Sequence, residues 1–317
     1  ILYPLAPYLF RLMDHAPAVT AHEITYFRVR LIGFPPIAVL TALACFFQSI
    51  SRPRIPMHAA IAANLLNLLF NYLLIFGKAG FPELGLAGAA AATVIAQFVQ
   101  CAILLCVFLS PAVNAAYSTR HNYAFDLRRI RELARIGYYS GIHMFIGVTN
   151  WGIFTSFIVG RFGVTELAAH NATRSFMSVS FMPAIAINQA IAPIVGEWVG
   201  RRDVLRAKAR VYTAIRVTMG YMFCMGLIFM FFGEELIRFV YRDNASGVAD
   251  LGGRLLVLAG FFQAIDAINI VCAGALRGAG DTRWMMWMTL IANYVIFLPF
   301  ATFLAVGLGH GAYGAWV

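Results

Sequence analysis

Residues 261–283 read FFQAIDAINIVCAGALRGAGDTR. The stretch begins inside a long apolar segment and carries one acid there, Asp266. It then runs out into a glycine-broken basic loop: Arg277, Gly278, Gly280, Asp281, Thr282 and Arg283. A carboxylate in the middle of a membrane-length segment is costly, and by default such a group is functional and faces a bundle interior or a water-filled cavity. Composition supports the membrane setting. Of 317 residues, 61% are hydrophobic and 12% charged, which excludes an ordinary soluble domain and implies an all-α polytopic membrane protein.

The net charge of +10 fits cytoplasmic loops rich in arginine and lysine, so lipids rather than nucleic acid are the expected macroscopic partner. The cysteines (Cys45, Cys101, Cys106, Cys224, Cys272) sit in apolar segments without a CxxC pair and read as small buried residues. The chain starts at Ile1, and Gly311 to Val317 opens a further apolar run, so it reads as an internal fragment of a longer protein.

In chain order, Ile1 to Leu12 reads as the tail of a span, and Asp14 to Glu23 as a short polar loop. The next segment, Ile24 to Phe47, contains Pro35-Pro36, which neighbouring helices in a bundle can accommodate. Met57 to Phe76 carries Asn64, Asn67 and Asn71 at i, i+3 and i+7, on one helix face; interhelical bonding and cavity lining are both open to them. Leu84 to Leu109 is a small-residue helix suited to close approach. Ser110 to Ile136 is the longest loop, with a basic amphipathic helix over Asp126 to Ile136 lying at the interface. Spans follow at Gly137 to Val159 (with Asn150), Glu166 to Val199 (with Pro183, Asn188, Gln189 and Pro193), Tyr212 to Phe232, Gly252 to Leu276 and Trp284 to Val306. Arg174 reads as a snorkelling side chain. The loops after Phe47, Leu109, Val199 and Leu276 hold most of the basic residues and are assigned to the cytoplasm.

Residues 1–90 resemble residues 228–317. Arg11 matches Arg238, Gly33-Phe34 matches Gly260-Phe261, and Ala63-Asn64 matches Ala292-Asn293. An even number of spans separates the copies, so they enter the membrane in the same direction, as a parallel repeat. The expected whole is two six-helix lobes, with about ten of twelve helices present and the first and last partial. The lobes divide as 1–110 (helices 3–6), a cytoplasmic linker at 111–136, and 137–317 (helices 7–12).

No GxxxxGK[ST], HExxH or GxSxG motif occurs, so neither ATP hydrolysis nor hydrolase chemistry is expected. A single carboxylate in an apolar bundle suits reversible binding of H⁺ or Na⁺. A channel is disfavoured because no charged ring or filter-like repeat is present.

The chain resembles the MATE (multidrug and toxin extrusion) family, of the bacterial NorM/DinF-like kind. The resemblance is carried by NLLFNYLLIFGKAGFPELGLAGAAAATVIAQ (67–97), VGRFGVTELAAHNA (159–172), SFMPAIAINQA (180–190) and, most specifically, LRGAGDTR after the helix containing Asp266. It implies an inner-membrane exporter of organic, often cationic, compounds, acting by alternating access in exchange for H⁺ or Na⁺, with no other cofactor and as a monomer. It assigns cation coupling, including any Na⁺ site, to Asp266. Asn67 and Asn71 fall where some members have an Asn–Asp pair. The seventh-helix Glu of sodium sites is replaced near Thr149-Asn150, and a tyrosine one turn before the acid is here Phe262. Asn67, Asn71, Asn150, Asn188, Gln189, Phe262 and Gln263 are the expected cavity residues. A lipid-linked-sugar flippase of related fold is the alternative, and a membrane-embedded enzyme a more distant one.

Overall fold

The computed structural model describes residues 17–121, 125–240, 246–309 and 311–316. The described residues are helical apart from turns and short connections, with no strand among them. Among the described residues seven helices are long and apolar enough to cross a bilayer, and a pair bent by 46° brings the number to eight if the pair crosses as one span. The expected first partial span over Ile1 to Leu12 lies outside the described residues. Residues such as Leu68 (70% exposed) and Phe231 (76%) would be an aggregation hazard in water, and apolar exposure of this kind suits helices set in a bilayer.

The chain divides into two compact units, 1–125 and 126–317. In the first, α1 (Pro17–Ile32) and α2 (Phe34–Ser49) form the bent pair, followed by α3 (Arg54–Phe76), α4 (Gly85–Phe108) and the short α5 (Pro111–Tyr117). Two expectations change here. The loop expected up to Glu23 is already helix from Pro17, and Ile24 to Phe47 is broken at Gly33 instead of running through. Pro35 and Pro36 explain the break, since neither can donate a hydrogen bond back into the preceding turn and both sit comfortably in the first turn of a new helix. Gly33 is buried at that corner, where an added Cβ would overlap Oε1 of Gln97 on α4. α3 ends at Gly77, whose φ of 62° is the left-handed cap that closes a helix. α4 then crosses α3 closely: a Cβ on Gly88 would come within 2.5 Å of the Leu74 carbonyl oxygen.

The second unit opens with α6 (Leu127–Ile153), capped by Asp126, which accepts from the backbone N–H groups of Arg128 and Arg129. The basic amphipathic stretch is therefore the first turns of a spanning helix, not a separate interfacial one. α6 passes into a π-helical turn (Phe154–Ile158) and a 3₁₀ turn (Val159–Arg161). Then come α7 (Val164–Gly200), α8 (Val204–Val240) and α9 (Ser246–Ala279), packed on one another. The last span starts with α10 (Thr282–Leu290), continues through π-helical turns on either side of α11 (Leu298–Thr302), and is followed by α12 (Gly311–Trp316). α7 keeps Pro183 and Pro193 inside a continuous helix.

Glycines set how close α7, α8 and α9 lie. Gly226 on α8 and Gly260 on α9 face each other, and a Cβ on either would reach the other's carbonyl oxygen at 2.6 or 2.7 Å. One antiparallel step of seven residues further along each helix, Gly233 meets the carbonyl of Gly253. On its other side α9 presents the GxxxG pair Gly274 and Gly278 to the Asn188 and Ala192 carbonyls of α7.

Candidate functional site

Asp266 lies in the middle of α9, between the two glycine seams, so its backbone is held against α8 on one side and α7 on the other. Its side chain is half-buried at the edge of the buried stripe Gln263, Ala267, Val271 and Gly274. Among the described residues it makes no hydrogen bond and no ion pair. Arg277 is three turns further along nearly the same stripe, about 16 Å away in rise, too far to neutralise it directly. That guanidinium instead donates to Asn188 Oδ1 at 3.4 Å.

Polar groups on the buried face are occupied in packing. Gln263 is fully buried; its Oε1 accepts from Ser180 Oγ on α7 at 3.1 Å, while its Nε2 has no partner among the described residues. It joins helices and does not line a wet surface. Asn188 is also buried, its Nδ2 donating to the Ile270 carbonyl. Gln263 on α9 and Asn188 on α7 therefore both join α7 to α9, at levels that flank Asp266. Gln189 and Phe262 are exposed, and Phe262 is one turn before Asp266 on its own helix. Asn150 on α6 is buried with Oδ1 unpartnered among the described residues.

In the first unit Asn71 Nδ2 donates to Asn67 Oδ1 at 3.0 Å, and Asn67 Nδ2 reaches Thr93 Oγ1 on α4 at 3.5 Å. Asn71 Oδ1 is buried and accepts nothing among the described residues. Asn64, expected on the same face, is exposed and takes no part in this chain. Within the second unit a groove of about 530 Å³ runs between the π-helical turn after α6 and α11, lined by Phe157, Arg161, Tyr294, Thr302 and apolar neighbours; Asp266 is not on it. Among the described residues no cluster of three or more His, Cys, Asp or Glu could hold a metal ion.

Sequence reading missed the contacts that cross large separations. His170 on α7 joins Thr155, fifteen residues earlier, to Trp316, 146 residues later. Glu166 Oε2 accepts from the Ala312 N–H at 3.2 Å. The facing glycines of α8 and α9 were not singled out either, although the spacing of seven in Gly226 and Gly233 and in Gly253 and Gly260 was a signal that could have found them.

An all-helical membrane chain with a lone carboxylate between two glycine seams narrows the comparison. The family model described as MatE matches residues 1–73 and 141–303. The chain belongs to the MatE family. It is a multi-pass protein of the bacterial inner membrane. Among curated relatives, the probable multidrug resistance protein NorM of Bacillus licheniformis is 28% identical over 90% of this chain and 63% of its own length. The Geobacillus kaustophilus protein of that name is 29% identical over 98% of this chain and 68% of its own. The chain thus spans about two thirds of the length of these relatives. Its fold is similar to a multidrug resistance MATE family transporter of the MOP superfamily solved in an outward-facing conformation: TM-score 0.89, 17% identity, covering 99% of this chain and 69% of that one. A MATE structure in complex with MaL6 gives a TM-score of 0.87 at 18% identity, covering 99% of this chain and 69% of that one.

Proposed function

We propose that this MatE chain forms the larger part of a secondary exporter that exchanges H⁺ or Na⁺ for organic, often cationic, compounds by alternating access. Asp266 is the cation-binding group. The supporting observation is its setting: a carboxylate in mid-span, half-buried and without an ion-pair partner among the described residues, on a helix fixed by backbone contact along both flanks. An ionised carboxylate held out of water is stabilised by binding a cation. A cation biases the transport cycle only through a difference in affinity between two conformations. A rigidly held α9 makes such a difference achievable, because the carboxylate cannot relax toward solvent independently of its helix.

The relatives are named multidrug resistance proteins, which favours export over catalysis. Exposed Phe261, Phe262 and Met182 supply adaptable apolar surface for loosely specific binding. The test is ethidium efflux from proteoliposomes holding the full-length protein, with Na⁺ and pH gradients imposed separately. Asp266→Asn is expected to lower gradient-driven efflux at least about tenfold while the protein still purifies folded. Efflux equal to wild type in that variant would remove Asp266 from the coupling.

A further inference from the structure

The start of α6 and the loop between α9 and α10 lie on the face whose arginines assign it to the cytoplasm. Together they enclose a cleft of about 410 Å³, with Glu132, Arg135 and Tyr139 on one wall and Asp281 and Arg283 on the other. Close backbone contacts hold the loop wall in place. A Cβ on Gly278 would overlap the Ala192 carbonyl oxygen of α7, and Gly280 turns the chain with a φ of 81°. Buried Thr282 donates from Oγ1 to the Ile136 carbonyl of α6 at 3.3 Å, which joins the two walls.

The acids of the cleft are engaged elsewhere. Glu132 pairs with Arg128 at 3.5 Å, one turn earlier on α6, and Asp281 caps α10 by accepting from the Trp284 N–H at 3.3 Å. Arg135 and Arg283 are exposed, and neither is in an ion pair among the described residues. Trp284 and Trp287 on the first turns of α10, and Tyr138 beside Tyr139, are exposed aromatics of the kind that settle at the headgroup level of a bilayer. Leu127, Ile130 and Leu133 expose an apolar surface on the opposite side of the same α6 turns. The cleft therefore sits at the depth of lipid headgroups, with two unpaired positive charges at its edge.

We propose that this cleft binds the phosphate of an anionic phospholipid of the cytoplasmic leaflet, with Arg135 and Arg283 gripping it from opposite walls, and that the bound lipid clamps α6 to the loop leaving α9. A guanidinium's planar fork matches phosphate oxygens pairwise, and the Tyr139 hydroxyl offers a further donor. Basic pockets between spanning helices on the cytoplasmic side suit such headgroups. A choline headgroup would instead set a quaternary ammonium beside the same two guanidiniums, so zwitterionic lipid is disfavoured. The site is separate from the cation-coupling reading and does not depend on it: Gly278 follows Asp266 by twelve residues, about 18 Å along α9.

The experiment is native mass spectrometry of the full-length protein in detergent, titrated with phosphatidylglycerol or with phosphatidylcholine of the same acyl chains. Wild type should hold one phosphatidylglycerol about tenfold more tightly than phosphatidylcholine. Arg135→Gln with Arg283→Gln should weaken phosphatidylglycerol binding at least about tenfold and leave phosphatidylcholine binding unchanged. Arg129→Gln with Lys208→Gln removes as much charge from outside the cleft and should change neither. An excess of inorganic phosphate should not displace the lipid. Equal affinity of wild type for the two lipids, a comparison that needs no variant to fold, would overturn the proposal. So would an undiminished preference in the Arg135 and Arg283 double variant, an equal loss in the Arg129 and Lys208 double variant, or displacement by inorganic phosphate alone.

Discussion

Replacing Gly226 or Gly260 by alanine puts a methyl group where there is room only for hydrogen. An alanine Cβ at Gly226 would lie 2.6 Å from the Gly260 carbonyl oxygen, and one at Gly260 would lie 2.7 Å from that of Gly226. Against an ordinary contact of 3.4 Å the shortfall is 3.4 minus 2.6, about 0.8 Å, in the first case and about 0.7 Å in the second. The obstructing atoms are backbone, so no rotamer change relieves the clash and the two helices must separate. Overpacking of this kind costs about 1–3 kcal/mol. The separation that admits one methyl group also admits the other, so the double variant should cost little more than either single one. Its coupling energy should be about 1–2 kcal/mol. Gly220→Ala, on the same helix with nothing within 4 Å of the new methyl, is the control and should be neutral or stabilise by up to about 1 kcal/mol. The measurement is thermal unfolding of the purified full-length protein in detergent, followed by tryptophan fluorescence. Additive losses at 226 and 260, or a loss at 220 as large as at either, would show that the seam is not the close backbone contact described.

Asn188→Leu strips partners from the Ile270 carbonyl and Arg277, and should destabilise by about 1–3 kcal/mol, seen as a midpoint lower by several degrees. Gln263→Leu alone should destabilise by about 1 kcal/mol because Ser180 loses its acceptor, whereas Ser180→Ala with Gln263→Leu should be near neutral, both polar partners being gone. Glu166→Ala should expose the α12 end to faster amide exchange at Ala312 by roughly tenfold, read by hydrogen–deuterium exchange mass spectrometry. An exchange rate at Ala312 matching wild type would mean that Glu166 does not hold that end.

Much of the architecture was legible because lipid imposes length and polarity on each segment, which local sequence records directly. The spans around Asn67, Pro183 and Asp266 needed no tertiary information. The corner at Gly33 was less accessible. Pro35-Pro36 marks a defect, but a proline can kink a helix or end it, and the outcome depends on Gln97 from α4 filling the space beside Gly33. In the proposed repeat the counterpart, Gly260, is followed by Phe261 and Phe262, and α9 runs straight on. The Asp126 cap explains another difference: once it supplies acceptors for the first N–H groups, the basic stretch has no reason to end before the span begins. Asp266 could be picked out as a lone acid in mid-span, but the burial of Gln263 against Ser180 could not, since that pairing joins residues 83 apart.

The double glycine seam has a mechanical consequence. Side chains interdigitating across an interface can re-seat in a neighbouring groove, but main chain lying on main chain leaves no alternative seat nearby. α7, α8 and α9 thus behave as one stiff three-rod strut, with the carboxylate riveted to its middle rod. Any bending in this half of the molecule then falls to the π-helical turns after α6 and beside α11, where the hydrogen-bond ladder is already irregular.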